Sequence, residues 1–223
     1  MALSKNYISF FKELSANNTS AWFNANKKRY EKDVKEPFNE LVQEVIGLMQ
    51  KVDPAIRVQP KDCVFRINRD IRFSNDKTPY KNYMAAVVSR QGRKDTTNPG
   101  IYFHLEANKL SIAGGSYEPP KDDLEKIRKA IVRNPKRVNK ILEGKKFHEL
   151  YGGLGGEKYK VLPAEYKVHA ESAPALFNKS FHYEKDYKGE SYVTRSDLAK
   201  FIVDHYKAAG EWNSFLEEAL QKK

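Results

Sequence analysis

The spacing of the hydrophobic residues changes twice along this chain, and this change limits the fold more than any other feature. One predicted helical face near the N-terminus is formed by Tyr7, Phe10, Phe11 and Leu14. Their spacing of i, i+3, i+4 and i+7 is that of an amphipathic helix. In the middle of the chain apolar and polar residues alternate, which is typical of a strand with one buried face. Helical spacing returns after Pro120, so the order of elements predicts an α+β fold.

The predicted elements form one domain, 1–223, in three parts. Residues 1–55 are predicted to be helical, residues 60–118 rich in strands, and residues 121–223 helical with an irregular loop over 144–192. Strands joined by short loops are most simply antiparallel, so we expect a small, mainly antiparallel sheet of about four strands. The N- and C-terminal helices would cover this sheet.

The composition excludes several classes of protein. Cys63 is the only cysteine, which rules out an internal disulfide and a zinc site built from several thiolates. No apolar run reaches the roughly 20 residues that a membrane-spanning helix needs, and the first residues lack the layout of a signal peptide. We therefore expect a cytoplasmic protein with no membrane partner. The five histidines have no metal-binding spacing, so we expect no metal site, and the residues indicate neither a cofactor nor an oligomeric state.

The net charge of +11 is concentrated in one segment. Between Arg57 and Lys94, ten basic residues stand against three acidic ones, so this segment carries +7 of the total. A solvated run of charge is one explanation. However, the basic residues alternate with phenylalanine, isoleucine and tyrosine, which must also pack. Concentrated charge on a packed element favours an anionic partner, which would be a phosphate, a carboxylate or a nucleic acid.

The densest part of this segment runs from residue 65 to 81 and reads FRINRDIRFSNDKTPYK. The apolar face of the predicted strand consists of Cys63, Phe65, Ile67, Ile71 and Phe73. Arg69 interrupts that face, so its guanidinium must be paired with an acid or must mark a bulge. Asp70 would point to the opposite face of a regular strand, and the acid that pairs with Arg69 is therefore expected from elsewhere.

We expect the cations of this segment to bind an anion, because arginine recognises phosphate and carboxylate groups in a planar, bidentate manner. The expected ligands of the anion are Arg66, Arg69, Arg72, Lys77 and Lys81. Their orientation would depend on Asp70 and Asp76, and further hydrogen bonds would come from Ser74, Thr78 and Tyr80. The alternative is a salt-bridge network on an exposed sheet face. Surface pairs contribute only about 0–1 kcal/mol each, which is a weak reason to place five cations within sixteen residues.

Two other places in the chain give weaker signals. Gly114 and Gly115 follow a predicted strand and would bring backbone amides to a phosphate, with Tyr117 beside them. They are not part of a P-loop, because no Gly-Lys-Ser/Thr follows at the required spacing, and a strand end or a bulge is the alternative. His104 lies on an alternating strand, where it would be an acid–base group or a packed, hydrogen-bonded residue.

The segment from Arg66 to Lys81 resembles the signature of an uncharacterised family, domain of unknown function 2461, with the pattern R-x-N-R-D-x-R-F-S-x-D-K-T-P-Y-K. Further resemblance covers Phe10–Tyr30, Tyr102–Leu105 and Gly114–Tyr117. The chain departs from the family after Pro163, where Ala-Glu-Tyr replaces a lysine-glycine-tyrosine pattern, and we assign that region no role. The resemblance supports the site but implies no activity.

Three hypotheses about function follow. The first is a domain that binds an anionic ligand, either a phosphorylated metabolite or a nucleic acid, through a basic strand and turn. The second is an enzyme that acts on a phosphorylated or carboxylated small molecule, with the cations stabilising negative charge and Asp70, Tyr80 or His104 transferring protons. The third is a structural or interaction protein whose charged residues only hold the sheet together.

Overall fold

A computed structural model describes residues 2–72, 75–95 and 98–221 of the chain. Within these ranges it contains eleven α-helices and one four-stranded antiparallel sheet. The predicted α+β class and the small antiparallel sheet are therefore confirmed. None of the helices in these ranges is long and apolar enough to cross a membrane.

Five helices precede the sheet in the sequence. They are α1 (Lys5–Ala16), α2 (Ser20–Ala25), α3 (Lys27–Tyr30), α4 (Glu36–Gln50) and α5 (Pro60–Cys63). The side chain of Thr19 caps α2 by accepting a hydrogen bond from the backbone N–H of Trp22. A π-helical turn, Glu31–Lys35, separates α3 from α4. It lies just before Pro37, whose ring and missing N–H do not fit an unbroken α-helix.

The sheet has the strand order β1-β2-β3-β4. Its strands are β1 (Met84–Val88), β2 (Gly100–Leu105), β3 (Lys109–Ser116) and β4 (Phe181–Lys188). A tight hairpin joins β2 to β3 where the sequence predicts it, with the N–H of Glu106 donating to the carbonyl of Lys109 at 2.9 Å. Burial alternates along β2, where Phe103 and Leu105 are buried and Tyr102 and His104 are partly exposed. Most positions of β1 and β3 are buried, and those of β3 include the polar Ser111.

Six helices complete the chain. They are α6 (Lys121–Arg133), α7 (Pro135–Glu143), α8 (Lys145–Tyr151), α9 (Glu190–Val193), α10 (Leu198–Ala208) and α11 (Gly210–Gln221). Two 3₁₀ turns, Ala164–His169 and Pro174–Phe177, lie between α8 and β4. The predicted helical stripes of α6 and α7 are buried, at Ile127, Ile131 and Val138 among others.

The continuous strand predicted across residues 63–73 is wrong. Residues 60–63 form α5, because Pro60 suits a first helical turn and Gln59 forms a reciprocal capping box with Asp62. The residues that follow are extended, but they pair only through two isolated antiparallel bridges, Val64 with Ala86 and Asn68 with Tyr80. Phe73 lies outside the described residues.

The region 144–192, which we expected to be irregular, contains α8 and the whole of β4. Phe181 and Tyr183 alternate along β4 and are fully buried. Charged residues fill the second half of this strand, so the alternating apolar signal stops after two residues. A short apolar signal far from the other strands in sequence does not predict a sheet strand.

The described residues divide into two compact units. The first unit is built from residues within 1–94, 102–112 and 186–203. The second unit is built from residues within 95–101, 113–185 and 204–223. The single domain predicted from the sequence stays a prediction.

Each unit has its own core against part of the sheet. In the first unit Phe38 of α4 packs against Phe103 of β2, with ring centroids 5.8 Å apart. In the second unit Trp212 of α11 contacts Phe181 of β4 and donates a hydrogen bond from Nε1 to its carbonyl at 3.1 Å. N- and C-terminal helices therefore both cover the sheet, as predicted.

Candidate anion-binding site

The cationic segment, residues 66–81, folds back on itself as an irregular hairpin. The N–H of Arg69 donates to the carbonyl of Pro79 at 2.9 Å, and the N–H of Lys81 donates to the carbonyl of Ile67 at 2.8 Å. Ile67 points inward and is buried, whereas its neighbour Arg66 is exposed. The alternation of side chains predicted from the sequence is therefore kept locally, although a regular strand is not formed.

Tyr80 anchors the returning arm of the segment. Its ring is buried and stacks on Phe23 at a centroid distance of 4.0 Å. Asn18 holds the backbone of Tyr80 from both sides, because its Oδ1 accepts from the N–H at 3.1 Å and its Nδ2 donates to the carbonyl at 2.9 Å. The structure thus gives Tyr80 a packing role, and it adds Asn18 to the residues that hold the segment in place.

Arg69 is paired with an acid that lies seven residues further along the chain. Its Nη1 is 2.7 Å from Oδ2 of Asp76, so the acid comes from elsewhere than Asp70, as the sequence predicts. Asp76 also accepts hydrogen bonds from the N–H and the hydroxyl of Thr78, at 2.9 and 2.8 Å. These two bonds, and then the charge of Arg69, hold the pKa of Asp76 below its ordinary value. The Nε of Arg69 is buried and has no hydrogen bond to a described residue.

Arg72 forms a local bidentate pair with Asp70. Its Nε and Nη2 lie 3.0 and 2.7 Å from the two carboxylate oxygens. The hydrogen bonds from Arg72 hold the pKa of Asp70 well below its ordinary value. This carboxylate is therefore ionised at neutral pH and is a poor proton donor. The side chain of Arg72 is also 74% exposed. This pair therefore fits the alternative interpretation of the segment, in which its charges form a salt-bridge network on the surface.

Lys77 bonds to the backbone of its own loop. Its ammonium group donates to the carbonyl of Ile71 at 2.9 Å, and its side chain is exposed. Ser74, which we expected to donate a hydrogen bond, lies outside the described residues. The predicted contributions of these two residues to ligand binding therefore stay predictions.

Three cations come together at the base of the hairpin: Arg66, Arg69 and Lys81. Lys81 donates to the carbonyl of Arg66 at 3.1 Å. Burial, and then repulsion from Arg66 and Arg69, lowers the pKa of the Lys81 ammonium. In the described part of the chain, neither Arg66 nor Lys81 forms an ion pair, whereas Arg69 pairs with Asp76. The charge of Arg66 also contributes to lowering the pKa of Asp70.

His104 of β2 lies close to this group. Its Nδ1 is 2.9 Å from the hydroxyl of Tyr102, and its Nε2 is 3.5 Å from a carboxylate oxygen of Glu106. Burial, and then the charge of Lys109, lowers the pKa of His104 against the opposing effect of Glu106. The imidazole is therefore neutral at pH 7 and is able to accept a proton.

The comparison with known proteins identifies the family. The family described as "conserved hypothetical protein (DUF2461)" matches residues 6–215. The chain belongs to this family. The resemblance of the cationic segment to domain of unknown function 2461 is thereby confirmed. No curated protein and no solved structure matches the chain.

In this DUF2461 protein, Gly114, Gly115 and Tyr117 belong to the second unit, whereas the cationic segment belongs to the first. A side chain at position 114 would collide with the ring and hydroxyl of Tyr183. Gly115 has a φ of +89°, and a Cβ there would lie 2.6 Å from the carbonyl of Phe181. Strand packing explains both glycines, and their predicted role in phosphate binding stays a prediction. Tyr117 is exposed, with its ring edge-on to His182.

Arg128 of α6 is a residue that sequence reasoning missed. The residue is 6% exposed, and its Nε and Nη2 are buried without a hydrogen bond to any described residue. Its guanidinium lies 5.0 Å from the ring centroid of Tyr159 and 5.8 Å from that of Tyr166. Because most helical arginines reach solvent, nothing in the local sequence distinguishes Arg128.

The second unit of this family member also contains a basic cleft of about 350 Å³. Its exposed lysines are Lys140, Lys145, Lys146 and Lys207. They come from three separate helices, so no single stretch of sequence predicts the cleft. Among the described residues no group of three histidine, cysteine or acidic side chains is arranged to hold a metal ion.

Proposed function

We propose that this protein binds an anionic group, a phosphate or a carboxylate, between Arg66, Arg69 and Lys81. One observation carries the proposal: Lys81 is held near Arg66 and Arg69, which repel it, and among the described residues the one carboxylate paired with any of the three is that of Asp76. Like charges held together in a partly buried place destabilise the protein unless an opposite charge joins them. A bound anion would supply that charge.

The neighbouring residues support this proposal by fixing the cations in place. Asp76 and Thr78 hold Arg69, while Asn18 and the buried ring of Tyr80 fix the chain next to Lys81. A preorganised set of donors loses little conformational entropy when a ligand binds. Arg72 and Lys77 already have partners within the loop, so we place them at the margin of the proposed site.

Calorimetric titration of the full chain with orthophosphate, pyrophosphate and citrate tests the proposal. We expect binding that weakens about tenfold or more in Arg66→Met and in Lys81→Met, because each variant loses a charge-assisted hydrogen bond. The matched controls are Arg57→Met and Lys28→Met. These substitutions remove the same charges from exposed side chains outside the site, and their affinities should stay within about twofold of the wild type, the small effect expected of a screened surface charge.

Two outcomes would count against the proposal. If none of the three anions binds, the cations have no ligand of this kind. If all four variants lose affinity equally, the binding reflects the net charge of the chain rather than a site. Circular dichroism of each variant would establish that the protein is folded before its affinity is compared.

A second candidate function, acid–base catalysis on the bound molecule, is favoured by His104. Its imidazole is neutral at pH 7, and its ring lies 4.7 Å from that of Tyr83, next to Lys81. Asp70 and Tyr80 are weaker candidates, because Asp70 is held ionised by Arg72 and Tyr80 is packed on Phe23. Release of phosphate from a panel of phosphate esters, measured against pH, would test this role. We expect His104→Asn to abolish the release while leaving orthophosphate affinity unchanged, and equal rates in both proteins would exclude it.

A further inference from the structure

Lys81 joins the proposed anion site to a group of aromatic rings. Its ammonium lies 5.5 Å from the ring centroid of Phe65 and 6.0 Å from that of Tyr83. The rings continue from Tyr83 to His104 at 4.7 Å, and from His104 to Tyr102 at 5.6 Å. Phe65 and Tyr102 lie 6.4 Å apart. We call these four residues, Phe65, Tyr83, Tyr102 and His104, the aromatic patch.

The aromatic patch lies on the side of β2 that does not face the core. Tyr102 and His104 are two residues apart on the strand, so their side chains leave the same face of the sheet. The residues between and after them, Phe103 and Leu105, are fully buried on the other face. All four residues of the patch are partly exposed. Because its residues remain partly exposed, this face is accessible to a ligand.

Backbone pairing holds the patch in place. The N–H of Phe65 donates to the carbonyl of Ala85 at 2.9 Å, and Val64 forms a bridge with Ala86. This pairing brings Phe65 beside β1, while Tyr83 directly precedes the same strand. The hydroxyl of Tyr102 and Nδ1 of His104 fix each other at 2.9 Å. The rings are therefore positioned before any ligand arrives.

We propose that the anion of this site is the phosphate of a nucleotide whose base lies on the aromatic patch, an inference that rests on the proposed function. A phosphate or carboxylate alone would use the cations and leave the rings unused. A nucleotide joins a phosphate to a planar base through one sugar, which matches cations that directly adjoin ring faces. Aromatic side chains stack on any base, since every base has a π-face. The nucleotide would be either a free mononucleotide or one residue of a single-stranded nucleic acid, and both have the same chemistry.

Measuring the affinity of the whole chain for each of four ligands tests this inference. The ligands are ribose 5-phosphate, adenosine, adenosine monophosphate and a single-stranded tetra-adenylate. We expect adenosine monophosphate to bind about tenfold or more tightly than ribose 5-phosphate, because the stacked base adds free energy that the sugar phosphate lacks. In saturation-transfer NMR the base protons should receive more saturation than the ribose protons.

The aromatic patch is then tested by substitution. Tyr83→Leu and Phe65→Leu should lower the affinity for adenosine monophosphate to that for ribose 5-phosphate, while the affinity for ribose 5-phosphate itself stays within about twofold, because these rings would contact only the base. Tyr192→Leu is the matched control, since Tyr192 is a partly exposed tyrosine of the same unit outside the patch. It should leave both affinities unchanged.

The outcomes separate this inference from the proposed function. If both phosphates bind equally and both are lost in Lys81→Met, the anion site stands and the nucleotide inference is overturned. If neither phosphate binds, both proposals fail together. Tighter binding of the oligonucleotide than of the mononucleotide, with a steeper dependence on salt, identifies a nucleic acid as the source of the nucleotide. Equal affinities identify a free mononucleotide.

Discussion

Arg69 in the cationic segment and Arg128 in α6 are both shielded from solvent, but their surroundings differ. The side chain of Arg69 is 26% exposed and pairs with the carboxylate of Asp76 at 2.7 Å. Arg128 is 6% exposed and, within the described residues, lies against two tyrosine rings with no carboxylate beside it. Arginine keeps its charge under all ordinary conditions, so the second guanidinium is a buried charge without an opposite charge.

The difference shows that the burial of an arginine and its pairing with an acid are independent of each other. Arg69 lies where water and ligands are able to reach the cations around it, so the unmatched charge of Arg66 and Lys81 is tolerated at modest cost. Arg128 cannot rely on water at Nε and Nη2, and the tyrosine faces compensate for only part of its lost hydration. The first environment is the one in which we propose that a ligand binds, and we expect the second to lower the stability of its unit.

The largest effect that we expect is on stability at Arg128. Arg128→Ala removes a buried side chain and leaves a cavity, so the free energy of unfolding should fall by about 3 kcal/mol. Arg128→Met fills most of the same volume without the unpaired charge, and it should lie within about 1 kcal/mol of the wild type or exceed it. Urea denaturation followed by tryptophan fluorescence measures both values.

The comparison fails if Arg128→Met loses as much stability as Arg128→Ala. That result would mean that the guanidinium has a partner in solution that replaces the missing carboxylate. Arg69→Met is the matched control in the cationic segment. Its loss should be well under half that of Arg128→Ala, because the carboxylate that it leaves behind is half exposed and is solvated by water.

A smaller effect, on acid stability, should appear at Asp76. Its pKa is held below the ordinary value by Thr78 and Arg69. A depressed pKa in the folded state adds stability that is complete above the unfolded pKa of about 3.9 and is lost as the pH falls through the folded value. The wild type should therefore be more stable than Asp76→Asn at pH 6, and the two melting temperatures should converge on acidification. Thermal melts between about pH 6 and 2.5 measure this.

Thr78→Val provides the intermediate case for the acid experiment. It removes the hydroxyl that bonds to Asp76 at 2.8 Å but keeps the backbone N–H bond. Its melting curve against pH should fall between those of the wild type and Asp76→Asn. Curves for wild type and Asp76→Asn that stay parallel across the whole range would show that neither the hydrogen bonds from Thr78 nor the charge of Arg69 lowers the pKa of Asp76 in solution.

The spacing of apolar residues predicted those helices and strands in which buried residues recur at a regular interval. The helical stripes of α1 and α4 and the alternation in β2 follow directly from the spacing of apolar residues in the sequence. The strand β4 was missed because its outer half is charged and its sheet neighbour, β3, is distant in sequence. Residues 63–73 show the opposite error. There the alternation is present, but Pro60 starts a helical turn and the chain turns back to pair with residues 79–86.

The composition of the cationic segment indicated where the charges lie but not which cation pairs with which acid. The pair of Arg69 with Asp76 depends on closure of the loop between them, which no residue spacing reveals. The aromatic patch joins rings from three separate stretches, so it exists only after Phe65, Tyr83 and β2 come together. A site whose residues come from distant segments therefore cannot be predicted from the sequence.

The smallest effect should come from Lys77. Its exposed ammonium bonds to a backbone carbonyl of its own loop, so Lys77→Met should change the free energy of unfolding by no more than about 0.5 kcal/mol. Because Lys77 lies at the margin of the proposed site, its loss should weaken orthophosphate binding by less than about threefold, whereas Lys81→Met should weaken it about tenfold or more. Calorimetric titration of both variants with orthophosphate at one salt concentration measures the two affinities. Equal losses would show that the loop closes over the anion and brings Lys77 into contact with it, and the site would then extend along the whole cationic segment.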